Sequence, residues 1–334
     1  MDKVVRRLRA AGLLLLLIIT LLALLAWRMW QIRGSIEDLG WPTAIVASEA
    51  HGGVTATWLG ISTLLFDDGE TQVLIDGAFT RVGALDSVLF RRVRSDVATI
   101  NYAMTTFGIN RLAAIIPVHS HHDHAIDVGN VANRSTAIVL GSESTANIAR
   151  GAEVPVDQYQ ILADGEERQF GDFTIRLIAS VHAPIGAEGQ EIFPGIIELP
   201  LRQPARIAEY RTGVAWSIVI GHPSGTTLVQ GSAGYIEGKL DDVAADVVML
   251  GLGGLAALGE DYTSTYWNET VTATGATRVV AIHHDDFTAP LGEVRLLPDI
   301  ADRVLRTKPW LDTLADSAGL AIELPPFGQP MLLY

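Results

Sequence analysis

The sequence predicts a single α/β domain, two β-sheets sandwiched between helices, carried behind one transmembrane helix. Three observations predict it. Short apolar, β-branched stretches come in hairpin-like pairs, stretches of helical spacing lie between them, and the uncharged run Ala10 to Trp27 precedes both. Strands grouped as hairpins with helices interspersed bury their apolar faces most simply as stacked layers.

The N-terminal run comes first. "MDKVVRRLRA" carries Lys3, Arg6, Arg7 and Arg9, and the uncharged stretch follows. At about 1.5 Å rise per residue it reaches roughly 27 Å, close to a bilayer core. Trp27, Arg28 and Trp30 then suit a membrane interface. A cleaved signal peptide and an uncleaved signal anchor compete. The run is long for a signal-peptide core and no clean A-x-A site follows, which favours the anchor. Residues 1–30 are thus expected to be a basic cytoplasmic tip and a single-pass anchor. The remainder is expected on the non-cytoplasmic side, periplasmic or extracellular. Residues 31–52 read as a short tether ending near His51, a turn-like surface histidine.

Residues 53–334 carry the domain. "VTATWLGISTLLF" and "TQVLIDGAF" flank the turn "DDGE" and predict a β-hairpin. Residues 87–107 have helical spacing and end at Gly108. "RLAAIIPV" reads as a buried strand. "STAIVLG" predicts a strand and "SESTANIARG" a short helix; "YQIL" and "FTIRLIASVH" are strands around the turns "ADGEE" and "FGD". "AWSIVIGHPSGTTLVQGS" is another hairpin, with His222 in its turn. "ADVVMLGLGG" is a strand running into a glycine-rich turn, and "TRVVAIHH" is the last strong strand. A helix near residues 298–316 and the strand "LAIEL" follow. Residues 184–212 are Pro-rich and weakly periodic, a loop excursion over one face.

Composition excludes several chemistries. The chain has 334 residues and no cysteine, so disulfides, thiolate nucleophiles and Cys-ligated metals are absent. Removing Asp2, Lys3, Arg6, Arg7, Arg9 and Arg28 from 24 Lys+Arg and 38 Asp+Glu leaves 19 against 37. Residues 31–334 therefore carry a formal −18. That argues against nucleic acid, or an anionic lipid surface, as the main electrostatic partner.

Four of nine histidines crowd into "PVHSHHDHAID": His119, His121, His122 and His124, with Asp123 among them. Two imidazoles separated by one residue can point at one ion. Asp123 and His124 point elsewhere and can serve a second ion nearby. Imidazole with one carboxylate suits zinc-like metals rather than calcium or magnesium. The competing reading is a solvated His-rich loop. It loses ground because His182 and His283 or His284 also end apolar runs that should be strands.

These residues resemble the metallo-β-lactamase superfamily. Its H-x-H-x-D-H motif is met by His119, His121, Asp123 and His124; its third histidine matches His182, and its last matches His283, with Asp285 and Phe287 in register. "WLGISTLLF…VLIDG" is similar to the family's first hairpin, and the resemblance covers roughly residues 53–290. It implies an αββα sandwich with a dinuclear zinc site at the sheet edge. It also implies His119, His121 and His182 on one ion, and Asp123, His124 and His283 on the other. The implied chemistry is hydrolysis by a zinc-activated hydroxide, with Asp123 orienting it. The family's bridging aspartate is replaced by Ser232 in "LVQGSAGY". Serine is a poor ligand, so one ion is the alternative to two. Asp76 in "VLIDG" is a candidate acceptor for a ligand histidine's second N–H, or a plain turn aspartate.

The weaker signals are these. "GLGGLAALG" fails the dinucleotide spacing and reads as a glycine-rich loop beside the metal site, with no ordinary helix after it. His122 faces either the cleft or solvent. Tyr235, Trp267, His284 and Asp285 are pocket or supporting candidates, with buried packing the default for the two aromatics. The expected function is hydrolysis of a phosphodiester or lactone/ester, on a small-molecule or lipid-like substrate. The alternatives are a lactam hydrolase and a non-hydrolytic metal-binding member of the fold.

Overall fold

Burial along the strands dictates two stacked sheets. The computed structural model describes residues 2–47 and 53–334, so His51 lies outside the described residues. Helix α1 (Asp2–Gln31) holds the apolar run, and its leucines are exposed along the length. Its length and apolarity suffice to cross a bilayer, features a signal sequence shares.

Strands β1 (Thr55–Trp58), β2 (Leu64–Asp67) and β3 (Gln72–Ile75) form an antiparallel meander. Helix α2 (Ala84–Val88), the two-residue strand β4 (Arg92–Val93) and helix α3 (Val97–Thr106) follow. The helix expected over residues 87–107 is therefore shorter. Asp96 ends it, because its side chain accepts the N–H groups of Ala98 and Thr99 and caps the first turn. Strand β5 (Leu112–Ile116) joins β3 in parallel. After it come α4 (His122–Ala125), α5 (Val128–Ala132), β6 (Ile138–Gly141), α6 (Glu143–Gly151) and β7 (Tyr159–Ile161).

The second sheet starts with β8 (Glu167–Phe170) and β9 (Phe173–Ser180). Strand β10 (Ala205–Arg206) leaves it to pair with β4. The hairpin β11 (Ala215–His222) and β12 (Gly225–Gln230) has the half-buried His222 at its turn. Then β13 (Val247–Gly251), α7 (Leu255–Leu258), α8 (Glu260–Trp267), β14 (Arg278–Ile282), α9 (Val304–Ala318) and β15 (Ile322–Glu323) complete that half. The glycine-rich loop thus does lead into helices, α7 and α8, which the sequence reading lacked. Strand β16 (Pro330–Leu332) returns to the first sheet. The orders are β16-β1-β2-β3-β5-β6-β7 and β15-β14-β13-β12-β11-β9-β8.

Strand alternation sorts the side chains into three apolar layers. Trp58, Phe66, Phe173, Trp216 and Met249 fill the space between the sheets. Leu65, Leu74 and Ile115 face outward onto Ile100, Val131 and Ile148 of α3, α5 and α6. Leu228, Val248 and Leu250 face Leu255, Trp267 and Leu311 of α7 to α9. Trp267 is thus a packing residue. The expected αββα sandwich is present.

Residues 32–47 are docked, unlike a slack tether. The Ile32 carbonyl accepts the Asp299 N–H, and Arg33 pairs with the buried Asp286 at 2.9 Å. Leu39 is fully buried in the outer layer, and Trp41 Nε1 donates to Asp312. Residues 184–212 are also tied down. Asn147 Nδ2 donates to the Ile197 carbonyl, the Ile197 N–H donates to Ser144 Oγ, and the Thr212 N–H donates to the Phe193 carbonyl. They form a strap over α6 and the edge of the sheets.

Leu39→Ala is expected to lower unfolding stability by about 2–5 kcal/mol in urea titration, as for a core leucine. The exposed Ile45→Ala control should stay within about 0.5 kcal/mol. Equal, small effects would return residues 32–47 to a tether.

Candidate metal centre

Three strand ends bring the histidines together. His119 and His121 lie on the segment leaving β5, and His121 precedes the first turn of α4, which carries Asp123 and His124. His182 follows β9 by two residues, and His283 follows β14 by one. Apolar strands of β-branched residues carry the chain to this edge, and polar residues take over where the strands stop.

Two triads result. One ligand atom from each of His119, His121 and His182 lies within 4.8 Å of the others. The same holds for Asp123, His124 and His283. His119 sits at the centre, its ring 4.1 to 4.8 Å from those of His121, His124 and His182. His119 Nε2 and His121 Nδ1 are 2.9 Å apart. Asp123 Oδ2 is 3.4 Å from His124 Nε2 and 3.8 Å from His283 Nε2.

The outward ring nitrogens are mostly spoken for. His124 Nδ1 meets Asp76 Oδ2 at 2.8 Å, and Asp76 also accepts Ser62 Oγ–H and the Val118 N–H. His121 Nε2 meets Thr212 Oγ1 at 3.0 Å, and His182 Nδ1 meets the Ala183 carbonyl at 2.8 Å. Such contacts fix a histidine's tautomer and turn its bare nitrogen inward. Asp76 and His283 both hold left-handed backbone, φ 60° and 52°, a conformation non-glycine residues keep where the surroundings demand it. Asp285 helps hold His283: its Oδ1 accepts the Ile61 N–H, and the Ile61 carbonyl accepts the His283 N–H. Gly253 packs so close that a Cβ there would lie 3.0 Å from His283 Nδ1.

Electrostatics keeps most of the lone pairs free. Burial, then the neighbouring imidazoles, pushes His119 well below the usual histidine range. Burial and His182 take His121 down to about 3, and burial takes His182 to about 4. Burial would raise Asp123, but His124, His122, His283 and His121 outweigh it and hold its carboxyl far below the usual carboxylate range. For His124 burial pulls downward, yet Asp123 and Asp76 outweigh it and raise it. An ionised carboxylate and converging neutral imidazole nitrogens, closer than bare lone pairs tolerate, fit a borderline divalent cation of zinc type. Among the described residues, His119 Nδ1 and His283 Nδ1 are buried without a hydrogen-bond partner, so those two rings lack the outer support the others have.

The cleft above the triads has a volume of about 410 Å³. Its walls are mainly apolar, including Phe90, Ile192, Phe193 and Phe287. His122 lines it, with Nδ1 3.7 Å from Asp123 Oδ1, so it faces the cleft rather than solvent. Ser232 lines it too, but its Oγ accepts the Ala183 N–H at 3.0 Å. The glycine-rich loop contributes Gly253 and Gly254 to the wall. Besides Asp76 behind His124, three candidates lie outside this cleft. His284 turns the other way and stacks on Trp58, 5.2 Å between rings, after the left-handed backbone at His283 has broken the strand's course. Asp285 is buried behind the site. Tyr235 packs on Tyr262 in an adjoining groove that His182 also lines. Ser62 and Thr212, both in contact with ligand candidates, escaped sequence reading because nothing local distinguishes them from other hydroxyl residues.

The architecture is the metallo-β-lactamase αββα sandwich. No protein-family model matches the chain. A UPF0173 metal-dependent hydrolase of Heliobacterium modesticaldum is 27% identical over 133 residues, 40% of this chain and 47% of the relative. The chain thus spans about half the length of the curated relative it matches. A solved structure of a possible metal-dependent hydrolase from Veillonella parvula aligns with a TM-score of 0.52 at 12% identity, covering 84% of this chain and 100% of that one. Isothiocyanate hydrolase from Delia radicum gut bacteria gives 0.51 at 16% identity, covering 84% and 99%. At such identities the structural likeness concerns the fold alone.

Asp76→Asn is expected to weaken zinc binding by about 10–100-fold in competition titration with a chromophoric chelator. The substitution keeps the size of the side chain and tolerates the left-handed backbone. Unchanged affinity would reduce Asp76 to a turn residue.

Proposed function

We propose that this chain is a membrane-anchored, metal-dependent hydrolase working in the cleft over the two histidine triads. The observation that carries the reading is the convergence of two separate, buried sets of three donors, among which burial holds His119, His121 and His182 low and the surrounding imidazoles hold Asp123 ionised. His119, His121 and His182 would hold one zinc ion, and Asp123, His124 and His283 a second. Bound there, the ions would supply Lewis acidity and lower the pKa of water toward neutrality.

The chain's own residues do the rest. Asp123 turns Oδ2 toward His124 and His283, which leaves Oδ1 on the side of His122. As an ionised carboxylate it can accept a hydrogen bond from an attacking water and orient it. His122 lies beside that oxygen and lines the substrate space. Phe193, Ile192 and Phe287 offer apolar surface to the part of the substrate away from the reacting bond. No serine or cysteine nucleophile is required.

An apolar cleft with an anchor favours a phosphodiester or lactone/ester bearing an apolar portion. Ser232 in the cleft wall keeps a lactam hydrolase as the second reading. Helix α1, with its basic N-terminal side, would leave the domain on the non-cytoplasmic face.

The test uses the full chain in detergent, loaded with zinc, on a chromogenic phosphodiester, a lactone and a cephalosporin. Chelator-sensitive turnover of at least one is expected. His121→Ala should reduce it to the uncatalysed background while circular dichroism stays unchanged, because the three apolar layers do not involve this residue. Full turnover by that variant would refute the site.

A further inference from the structure

The cleft wall formed by α2 and the strap is unusually apolar where it meets the surface. Helix α2 buries none of its residues. Leu85, Val88, Leu89 and Phe90 are each more than half exposed, and so are Ile196 and Leu199 on the strap. Phe90 and Phe193 meet edge to face across the mouth, 5.5 Å between ring centroids. Both have φ 47°. Bulky side chains rarely hold left-handed backbone, and here it presents two aromatic rings at the opening. Contiguous exposed apolar surface of this kind marks an interaction site.

Cations flank it. Arg91, Arg92 and Arg94 follow directly, and the β4–β10 ribbon sets Arg206 opposite Arg92. Arg91 is paired with Asp86, and Arg92 lies 3.9 Å from Glu209. Among the described residues, Arg94 and Arg206 form no ion pair. On a domain with a formal −18, residues 84–96 and 192–209 carry five arginines against Asp86, Asp96, Glu198 and Glu209, so the acidity is locally cancelled beside the apolar ridge, with Arg94 and Arg206 the arginines left over. An apolar ridge edged with arginine is the chemistry of an interfacial membrane contact.

The attachment of α1 supplies the continuity. The helix ends at Gln31, and the next residues bond at once to the body through Ile32–Asp299 and Arg33–Asp286. Leu297 and Ala301, on either side of Asp299, line the same cleft as Ser87 and Phe90. The chain therefore leaves the helix against one wall of the cleft, without slack. A domain held that way keeps its cleft near the bilayer.

We propose that α2, Phe90 and strap residues 192–199 dock on an anionic phospholipid bilayer, the one that holds α1, so that the cleft receives amphiphilic substrate from the membrane. The proposal rests on reading α1 as an uncleaved anchor.

The absence of cysteine makes a direct test available. Single cysteines replace Leu17, Leu89, Ile196 or Glu70 in the full chain and carry an environment-sensitive fluorophore. Glu70 lies in the β2–β3 turn, at the far end of β3 from Asp76. The protein is reconstituted in phosphatidylcholine vesicles, with or without phosphatidylglycerol, containing spin-labelled lipids. Quenching is expected at Leu17 with the deep label, and at Leu89 and Ile196 with the headgroup label. The latter should grow with phosphatidylglycerol and lose that increment in R94E/R206E. Glu70 should stay bright. Quenching at Leu17 with Leu89 and Ile196 as bright as Glu70 would overturn the docking and leave the anchor intact. No quenching at Leu17 would remove the anchor, and the proposal with it. A concentration-dependent blue shift at Leu89 in detergent alone would assign the lip to a second copy of the chain instead.

Discussion

The molecule is organised around one electrostatic demand: five imidazoles and a carboxylate must converge in a buried site, with four of the imidazoles held below the usual histidine range and His124 raised by its two carboxylate neighbours. Isolated in water, such a cluster would protonate and spread apart. Here burial keeps His119, His121 and His182 neutral, while the imidazole-rich surroundings keep Asp123 ionised. Apolar strand cores make this burial rigid. The Asp76–His124 contact shows how far the supporting order reaches, since Asp76 also holds Ser62 and the start of the loop after β5.

Much of the centre was legible in the sequence because its signals are local. His-x-His-x-Asp-His is a short string, and His182 and His283 end apolar runs that could hardly be anything but strands. The architecture followed from the same runs. What failed was contextual. "VVAIHH" offered two histidines, and only the three-dimensional turn at His283, in left-handed backbone, separates it, at the site, from His284, stacked on Trp58. The helix over residues 87–107 looked continuous because its spacing is helical, but the cap at Asp96 and the pairing of Arg92 with a distant Arg206 cut it. Ser62 and Thr212 are ordinary in sequence and acquire a role through contacts 62 and 91 residues away.

Two segments that composition marks as connectors carry part of the structure. Residues 32–47 bury Leu39 and anchor Arg33 on the buried Asp286, which Arg295 also pairs. Residues 184–212 supply Phe193, Ile192 and Ile207 to the cleft and Thr212 to His121. Their weak periodicity reflects attachment by scattered hydrogen bonds rather than a regular ladder. The overall acidity of the domain likewise says little about its surface in detail, since arginines gather on one ribbon beside an apolar ridge.

Ser232 bears most directly on the central reading. Its hydroxyl is engaged with the Ala183 N–H, and both triads are complete without it. The decisive measurement is the zinc content of the full chain and of S232A after equilibrium dialysis, read by mass spectrometry of the metal. Two independent triads predict two ions per chain in both proteins. A single ion in the full chain, or a lower count in S232A, would contradict the arrangement.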